Sequence, residues 1–394
     1  MKHQYKTEIF WKKSLHLFID FFVDIYAKFF IRRKINIQYT EPKNILFVTL
    51  AQLGDALAES YVFPLIKERF PNADIDVITS EWCKPILKNN PYIRNVFFFN
   101  HFRMNRSEKS FLKKISSHIK SSRASLKKIR LQKYDLSIEG GVTYPNGNLL
   151  CYRGKVERRI GTGSGGFGAL LTDIAEIPPH HGFHILEALL EVLRLIGIKK
   201  KLEDLKPYYI IHNKKAFIKH PFSSYFNRSF IIIHPESGNV KRTMSNDFWL
   251  EIIKIIFNTT NFYVIICGTS IKSIELINFC LANLHKGKDY ITNAVQKLSI
   301  DELFLLSKYA KAAFTVESFA AHFCAINCNT FSFFKNGSGA YFFPIPNKKS
   351  TIIHNHFPSK NIKVHHNLEN YFVENIESDE IFELVNKFIL GLVN

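Results

Sequence analysis

The chain lacks several things that would place it early. It has no secretory cleavage pattern at its start, which excludes a signal-peptide reading and leaves the cytoplasm as the expected compartment. Cysteine is sparse: Cys83, Cys151, Cys267, Cys280, Cys324 and Cys328 are scattered through 394 residues. That scatter excludes a disulfide framework and suits a reducing environment. Cys324 and Cys328 stand four apart with no second pair nearby, so a zinc site is not expected. No repeat of solenoid period is visible. Acidic residues are short, with 34 Asp and Glu against 53 Lys and Arg, a net charge of +19. A surplus of that size calls for an anionic partner: nucleic acid, a membrane surface or a phosphorylated substrate.

An uninterrupted spanning segment is also missing. Phe18 to Ile31 is rich in aromatics, yet Asp20, Asp24 and Lys28 fall four apart and form a polar ridge on the helix expected there. Lys12, Lys13, Arg32, Arg33 and Lys34 flank it. Two arrangements stay open: a helix lying in the interface of an anionic leaflet, or one packed on its own domain.

What is present is a globular composition, 46% hydrophobic and 22% charged, long enough for two domains. Ile45 to Val48 reads as a buried parallel strand, Leu53-Gly54-Asp55 as the turn after it, and the run to Phe70 as an amphipathic helix closed by Pro71. Strands are expected again at Asp74 to Thr79, Val96 to Phe99 and Tyr134 to Glu139, with a helical piece from Trp82 to Leu87. Gly182 to Ile198 is helical in pattern, and the stretch to about Asn227 has little periodicity. A second unit opens with strands at Phe230 to Ile233, Tyr263 to Cys267 and Ala312 to Val316, and helices at Asn246 to Phe257 and Ile300 to Ala310. Short apolar runs alternating with helices predict parallel sheets with crossover helices, so the fold class is α/β. The expected division is a basic amphipathic extension over 1–40, a first α/β domain over 41–205, a linker over 206–228, a second α/β domain over 229–376 and a terminal helix over 377–394.

Four stretches carry candidate chemistry. Asp55 sits at the carboxyl end of the first strand, where open α/β sheets bind ligands, although an Asp there also serves to cap a helix. Between Phe102 and Lys133, eleven Lys and Arg face a single acid, Glu108; aromatics are too sparse for base stacking, which leaves a solvated face or contact with lipid phosphates. Gly161, Gly163 and Gly166 satisfy G-x-G-x-x-G by letter. With no strand evident before them and a position far from the first βα turn, they are read as a flexible loop and a dinucleotide site is rejected. The loop His234 to Arg242, with small polar residues and two cations before a helix, is a candidate phosphate cradle.

In combination these pieces resemble glycosyltransferase family 9, the bacterial lipopolysaccharide heptosyltransferases. The resemblance spans roughly Asn44 to Asn347. It is carried by Leu53-Gly54-Asp55 with Arg69-Phe70-Pro71, Asn90-Pro91-Tyr92-Ile93, Tyr134-Asp135-Leu136, Arg159-Ile160-Gly161 with its glycine run, Leu170-Leu171-Thr172, His234 to Lys241, and Glu317 to His322. It implies a GT-B architecture, two Rossmann-like domains facing a cleft, and an inverting transfer that needs no metal and no cofactor. Asp55 is then the general base on an acceptor hydroxyl. Lys241 binds the leaving diphosphate with Ser237 and Ser318 as donors, Glu317 holds sugar hydroxyls, and His322 lies beneath the donor. Lys113, Lys114, Lys127 and Lys128 are the expected acceptor or anion surface. The implied partners are a nucleotide-sugar donor such as ADP-heptose, a lipid A–core or other surface-glycan acceptor and an anionic membrane bound peripherally on its inner face, with no nucleic acid. The sequence departs from the pattern at Glu317-Ser318-Phe319, where Asp-Ser/Thr-Gly is usual, and at Thr243-Met244 after Arg242 and Ser60-Tyr61 after the L-G-D turn. This marks a divergent branch, and a non-catalytic protein that binds nucleotide sugars or glycans is the alternative.

Overall fold

The computed structural model describes residues 10–30, 40–105, 107–141, 146–164, 166–176, 184–211, 219–335, 339–355 and 365–393. Arg32, Arg33, Lys34, Arg106, Gly165, Gly182 and the Asn336-Gly337 pair lie outside them. The chain divides into two compact units, Met1–Leu205 and Lys206–Asn394.

In the first unit, α1 (Phe10–Phe30) precedes β1 (Asn44–Thr49), α2 (Leu53–Ser60), α3 (Phe63–Arg69), β2 (Asp74–Thr79), α4 (Lys84–Leu87), β3 (Asn95–Phe98), α5 (Phe111–Gln132), β4 (Leu136–Glu139), α6 (Asn148–Arg153), β5 (Arg158–Gly161), β6 (Asp173–Ile174) and α7 (Ile185–Arg194). The run expected as one helix to Phe70 is two, because Tyr61 and Val62 turn between them before Pro64 starts α3 at its second position. The strands form one parallel sheet in the order β3-β2-β1-β4-β5-β6. The chain crosses from one side of β1 to the other, so β1 and β4 flank the switch point. Val48 pairs with Glu139 there, at the carboxyl ends of both strands.

The second unit runs β7 (Phe230–His234), α8 (Asn246–Thr259), β8 (Tyr263–Ile266), α9 (Ile271–Asn283), β9 (Ile291–Asn293), α10 (Ile300–Tyr309), β10 (Ala312–Val316), α11 (Phe319–Ala325), β11 (Asn329–Phe334), α12 (Gly339–Phe342), β12 (Ser350–His354), β13 (Leu368–Phe372) and α13 (Asp379–Val393). Its sheet is parallel in the order β13-β12-β11-β10-β7-β8-β9, with the switch between β7 and β10. Ile231, Ile233, Val264, Phe314 and Phe331 are fully buried beneath α8 and α13, each contributing on the order of 1.5–3 kcal/mol. The described part of 206–228 packs on this unit: Tyr209 donates to Asp301 at 2.7 Å, and His220 lies 2.9 Å from the Glu302 carbonyl. Two parallel Rossmann-like sheets in one chain are the α/β fold class that the sequence leads one to expect.

One local reading needs correction. A strand does run directly into the glycine stretch, since β5 ends at Gly161. A dinucleotide site is still unsupported, because a single turn (Gly168–Leu170) and then β6 follow instead of a helix whose N-terminus could face a pyrophosphate. The polar ridge of α1 also has a direction. Asp20 is 1% exposed and faces inward, while the aromatic side faces out.

Candidate functional site

At the first switch point, Asp55 is the third residue of α2 and half-buried. The Gln52 N–H donates to its Oδ2 at 3.1 Å, so the carboxylate closes a capping box and is fixed in orientation. The loop before it is pinned by Trp82 Nε1–H and Cys83 Sγ–H, which donate to the Ala51 carbonyl at 3.1 and 3.3 Å. Gln52 Nε2 reaches the Met104 carbonyl at 3.3 Å. Capping and catalysis do not compete here, since a held carboxylate is also an oriented one.

Two further carboxyls stand beside it, and neither was singled out from sequence. Glu59 lies one turn along α2 at 4% exposure, and Glu139 ends β4 at 5%. Glu139 accepts from the Gly147 N–H at 2.5 Å and the Gly141 N–H at 3.3 Å. Burial pushes its pKa up to about 8 against the pull of those two amides. Burial also raises Glu59 well above the ordinary range. The Thr49 hydroxyl opposes that rise, and the charges of Asp55 and Glu139 add to it. The acids fill space left by glycines: a Cβ at Gly140 would lie 2.7 Å from Glu59 Oε2. The signal was legible in part. Glu139 closes an apolar strand before Gly140-Gly141, and Glu59 follows Asp55 by four on an otherwise apolar helix face.

At the second switch point three loops are tied together. Glu236, just beyond β7, accepts from the Thr269 N–H, from Thr269 Oγ1 at 2.8 Å, from the Ser270 N–H at 2.9 Å, from Ser270 Oγ at 2.5 Å and from Ser273 Oγ at 2.8 Å. Burial pushes its pKa up, but the Ser270 hydroxyl and the amides win and hold it at about 2. A carboxylate therefore already occupies the N-terminus of α9. Gly268, at φ +154, makes room: a Cβ there would stand 2.5 Å from Ser273 Oγ and 2.8 Å from Glu236 Oε2.

Ser237 Oγ donates to the Glu317 carbonyl at 2.8 Å, joining the loops after β7 and β10. Glu317 is 4% exposed, and its Oε1 lies 3.2 Å from Arg242 Nη1. Lys241 is exposed on a short turn whose N-terminus Asn239 caps, accepting from the Lys241 N–H at 3.1 Å. Ser318 Oγ is buried and has no hydrogen-bond partner among the described residues. His322 is half-buried on α11, and burial pulls its pKa down to about 4, so it is neutral. The Phe319 ring lies against Phe323, with centroids 4.7 Å apart. A cavity of about 280 Å³ opens beside this loop, lined by Glu236, by Thr243, Ser245 and Asn246 at the start of α8, and by Lys272 at the start of α9.

The structure thus brings Ser237, Lys241, Glu317 and Ser318 to one end of one sheet, with Arg242 and Glu236 as the members that sequence reasoning left without a role. Lys113, Lys127 and Lys128 are exposed on α5 and Lys114 is half-buried. The two pairs are fourteen residues apart, about 21 Å along the helix, so they form a surface and not a pocket. Lys128 Nζ lies 4.7 Å above the Phe97 ring. Among the described residues no group of three His, Cys, Asp or Glu side chains is placed to hold a metal ion.

No protein-family model matches the chain. It is 24% identical over 275 residues, 69% of its length and 76% of the relative's, to lipopolysaccharide heptosyltransferase 3 of Escherichia coli K12. A 51-residue stretch is 35% identical to lipooligosaccharide heptosyltransferase 2 of Haemophilus influenzae, covering 13% of this chain and 15% of that one. Among solved structures, E. coli ADP-heptose heptosyltransferase II aligns with TM-score 0.63 at 18% identity, covering 89% of this chain and 100% of the other. A family 9 glycosyltransferase from Veillonella parvula aligns with TM-score 0.65 at 12% identity, covering 88% and 89%. The resemblance carried by the motifs is borne out: the chain is similar in sequence to lipopolysaccharide heptosyltransferases and shares their GT-B fold.

Proposed function

We propose that this chain, a divergent relative of the lipopolysaccharide heptosyltransferases, is an inverting glycosyltransferase. It moves a sugar, heptose from ADP-heptose, onto a lipopolysaccharide core or related surface glycan at the cytoplasmic face of the inner membrane, where it binds peripherally. The observation that carries this reading is the position of Asp55: an oriented carboxylate at the switch point of the first sheet, on the segment that resembles the family's base.

In this mechanism the acceptor hydroxyl oxygen attacks the anomeric carbon. The hydroxyl proton passes to an Asp55 carboxylate oxygen as the new C–O bond forms, and the bond to the diphosphate oxygen breaks with its electron pair. The nucleotide diphosphate leaves carrying that charge. Lys241, exposed on its turn, compensates it, with the unpartnered Ser318 hydroxyl as a donor; Ser237, expected from sequence as a second donor, gives its one hydroxyl hydrogen to the Glu317 carbonyl and fixes the loop instead. Arg242 holds Glu317 in place for sugar hydroxyls. The first unit takes the acceptor and the second the donor, so charge compensation comes from side chains and no metal is required.

The test is to incubate the protein with ADP-, GDP- and UDP-sugars and core-truncated lipopolysaccharides, following nucleotide release. Release that depends on both ADP-heptose and an acceptor supports the reading. Binding of donor with no release under any pairing favours a non-catalytic binding protein.

A further inference from the structure

We infer that α1 is an interfacial anchor. Its outward aromatic face docks on an anionic bilayer, while its inward face, through Asp20, latches the glycine loop that follows β5. The inference rests on the peripheral-membrane part of the proposed function and names the surface responsible.

The outward face is unusual for a water-exposed helix. Phe18, Phe21, Phe22, Ile25 and Phe29 follow i, i+3, i+4, i+7 and i+11 spacing and are 62%, 59%, 54%, 40% and 73% exposed. Scattered exposed apolar residues need no explanation, but a contiguous aromatic stripe marks an interaction surface. The rings also touch each other, with Phe18 and Phe22 centroids 5.0 Å apart.

The occupant follows from charge. Residues 1–40 hold Lys2, Lys6, Lys12, Lys13, Lys28, Arg32, Arg33 and Lys34 against Glu8, Asp20 and Asp24. Two of those three acids are withdrawn from the outer face: Asp20 is 1% exposed, and Asp24 is half-buried on the inward side. An aromatic stripe on a basic segment with its acids turned inward suits acidic lipid headgroups over an apolar layer. A second copy would bring two basic segments of like charge together. No helix among the described residues is long and apolar enough to cross a membrane, so the contact lies in the plane of the interface.

The inward face gives the helix a second connection. Asp20 Oδ1 accepts from the Phe167 N–H at 2.6 Å. Phe167 is in the left-handed region at φ 60, next to Gly166 at φ 92. The loop is held from its other side by Asn146 Nδ2–H, which donates to the Gly166 carbonyl at 2.9 Å. Tyr26 and Tyr152 hydroxyls, 3.1 Å apart, fasten the helix further along. This loop leaves β5, the strand beside β4 and its Glu139. Anchoring of α1 therefore bears on the conformation of a loop at the ligand-binding edge of the sheet, which makes Asp20 a positioning residue.

The experiment uses the full chain and sedimentation with vesicles of phosphatidylcholine, with and without phosphatidylglycerol. A variant carrying F18S, F21S and F22S together should bind the anionic vesicles about tenfold or more weakly than the parent. Its melting temperature and its transfer to a water-soluble acceptor fragment should be retained. L112S on α5, also an exposed apolar residue, should leave vesicle binding unchanged. D20N should keep vesicle binding but raise amide hydrogen exchange in residues 161–171. Equal binding by the triple variant and the parent overturns the assignment. So does failure of the parent to bind anionic vesicles, or a parent dimer that the triple variant converts to monomer. Unchanged exchange in D20N overturns the latch. Vesicle binding, melting temperature and hydrogen exchange need no turnover, so an inactive parent would refute the proposed transfer without touching the anchor.

Discussion

At the scale of single residues, the N-terminal switch point is a problem in acid placement. Replacing Asp55 by Asn keeps its shape and its bond from the Gln52 amide, yet removes the proton acceptor. Acceptor-dependent turnover should fall by about 10²–10⁴-fold while donor binding is unchanged, as checked by steady-state kinetics and nucleotide titration. Glu139 gives a pH signature. Its pKa is raised to about 8, chiefly by burial, so the folded state keeps a proton that the unfolded chain releases near the ordinary carboxylate range. Its contribution to stability is fully present at low pH, declines as pH rises from about 4.5, and is gone once pH passes the folded value. The E139Q protein should show a flatter melting-temperature profile across that window and gain on the parent most at pH 8. A parallel decline in both proteins would mean that Glu139 is not the titrating group. Glu236 behaves in the opposite sense. Held at about 2, it stabilises above the ordinary carboxylate range, and that stability is lost as pH falls towards 2. The E236Q protein should lose on the order of 1–3 kcal/mol at neutral pH and be less sensitive to acid, read by urea unfolding.

At the scale of elements, the legible parts were those with a local signal. The alternation of Ile45–Val48, Asp74–Thr79 and Phe230–Ile233 with amphipathic runs announced parallel strands, and the structure has them. One strand and one helix boundary were harder. β5, Arg158–Gly161, begins with two arginines and ends in glycine, so it lacks the apolar run of a buried strand. It is completed by a side chain, Arg159, whose guanidinium donates to the Leu170 and Val156 carbonyls at 2.7 and 2.5 Å. The division of Leu53–Arg69 into two helices was hidden because the residues at the break, Tyr61 and Val62, are as apolar as those around them. Gly268 is an element-scale test. Its φ of +154 and the crowding by Ser273 and Glu236 leave no place for a methyl group. G268A should destabilise the second unit by about 1–3 kcal/mol and free the N-terminus of α9, visible as a lower melting temperature.

At the scale of the whole molecule, two copies of one topological device carry the account. Each sheet reverses its strand order beside its first strand, and each reversal gathers polar residues from loops far apart in sequence: Asp55 with Glu139, and Ser237 with Glu317. Sequence reasoning reached Asp55, Ser237, Lys241 and Glu317 because they stand at strand ends in recognisable segments. It passed over Glu59, Glu139 and Glu236 because what makes a carboxyl unusual is its burial and its neighbours, which only the folded chain supplies. The partnership of Arg242 with Glu317 is of the same kind. R242A removes the guanidinium that lies 3.2 Å from buried Glu317, raising KM for the nucleotide sugar several-fold in donor-titration kinetics, at a cost of about 1–3 kcal/mol in stability. The most direct measurement of the central claim is acceptor-dependent ADP release from ADP-heptose by the parent and by D55N, side by side. The account predicts release by the parent, with product of inverted anomeric configuration, and near-complete loss in a D55N protein that still binds ADP. Undiminished release by D55N would contradict it.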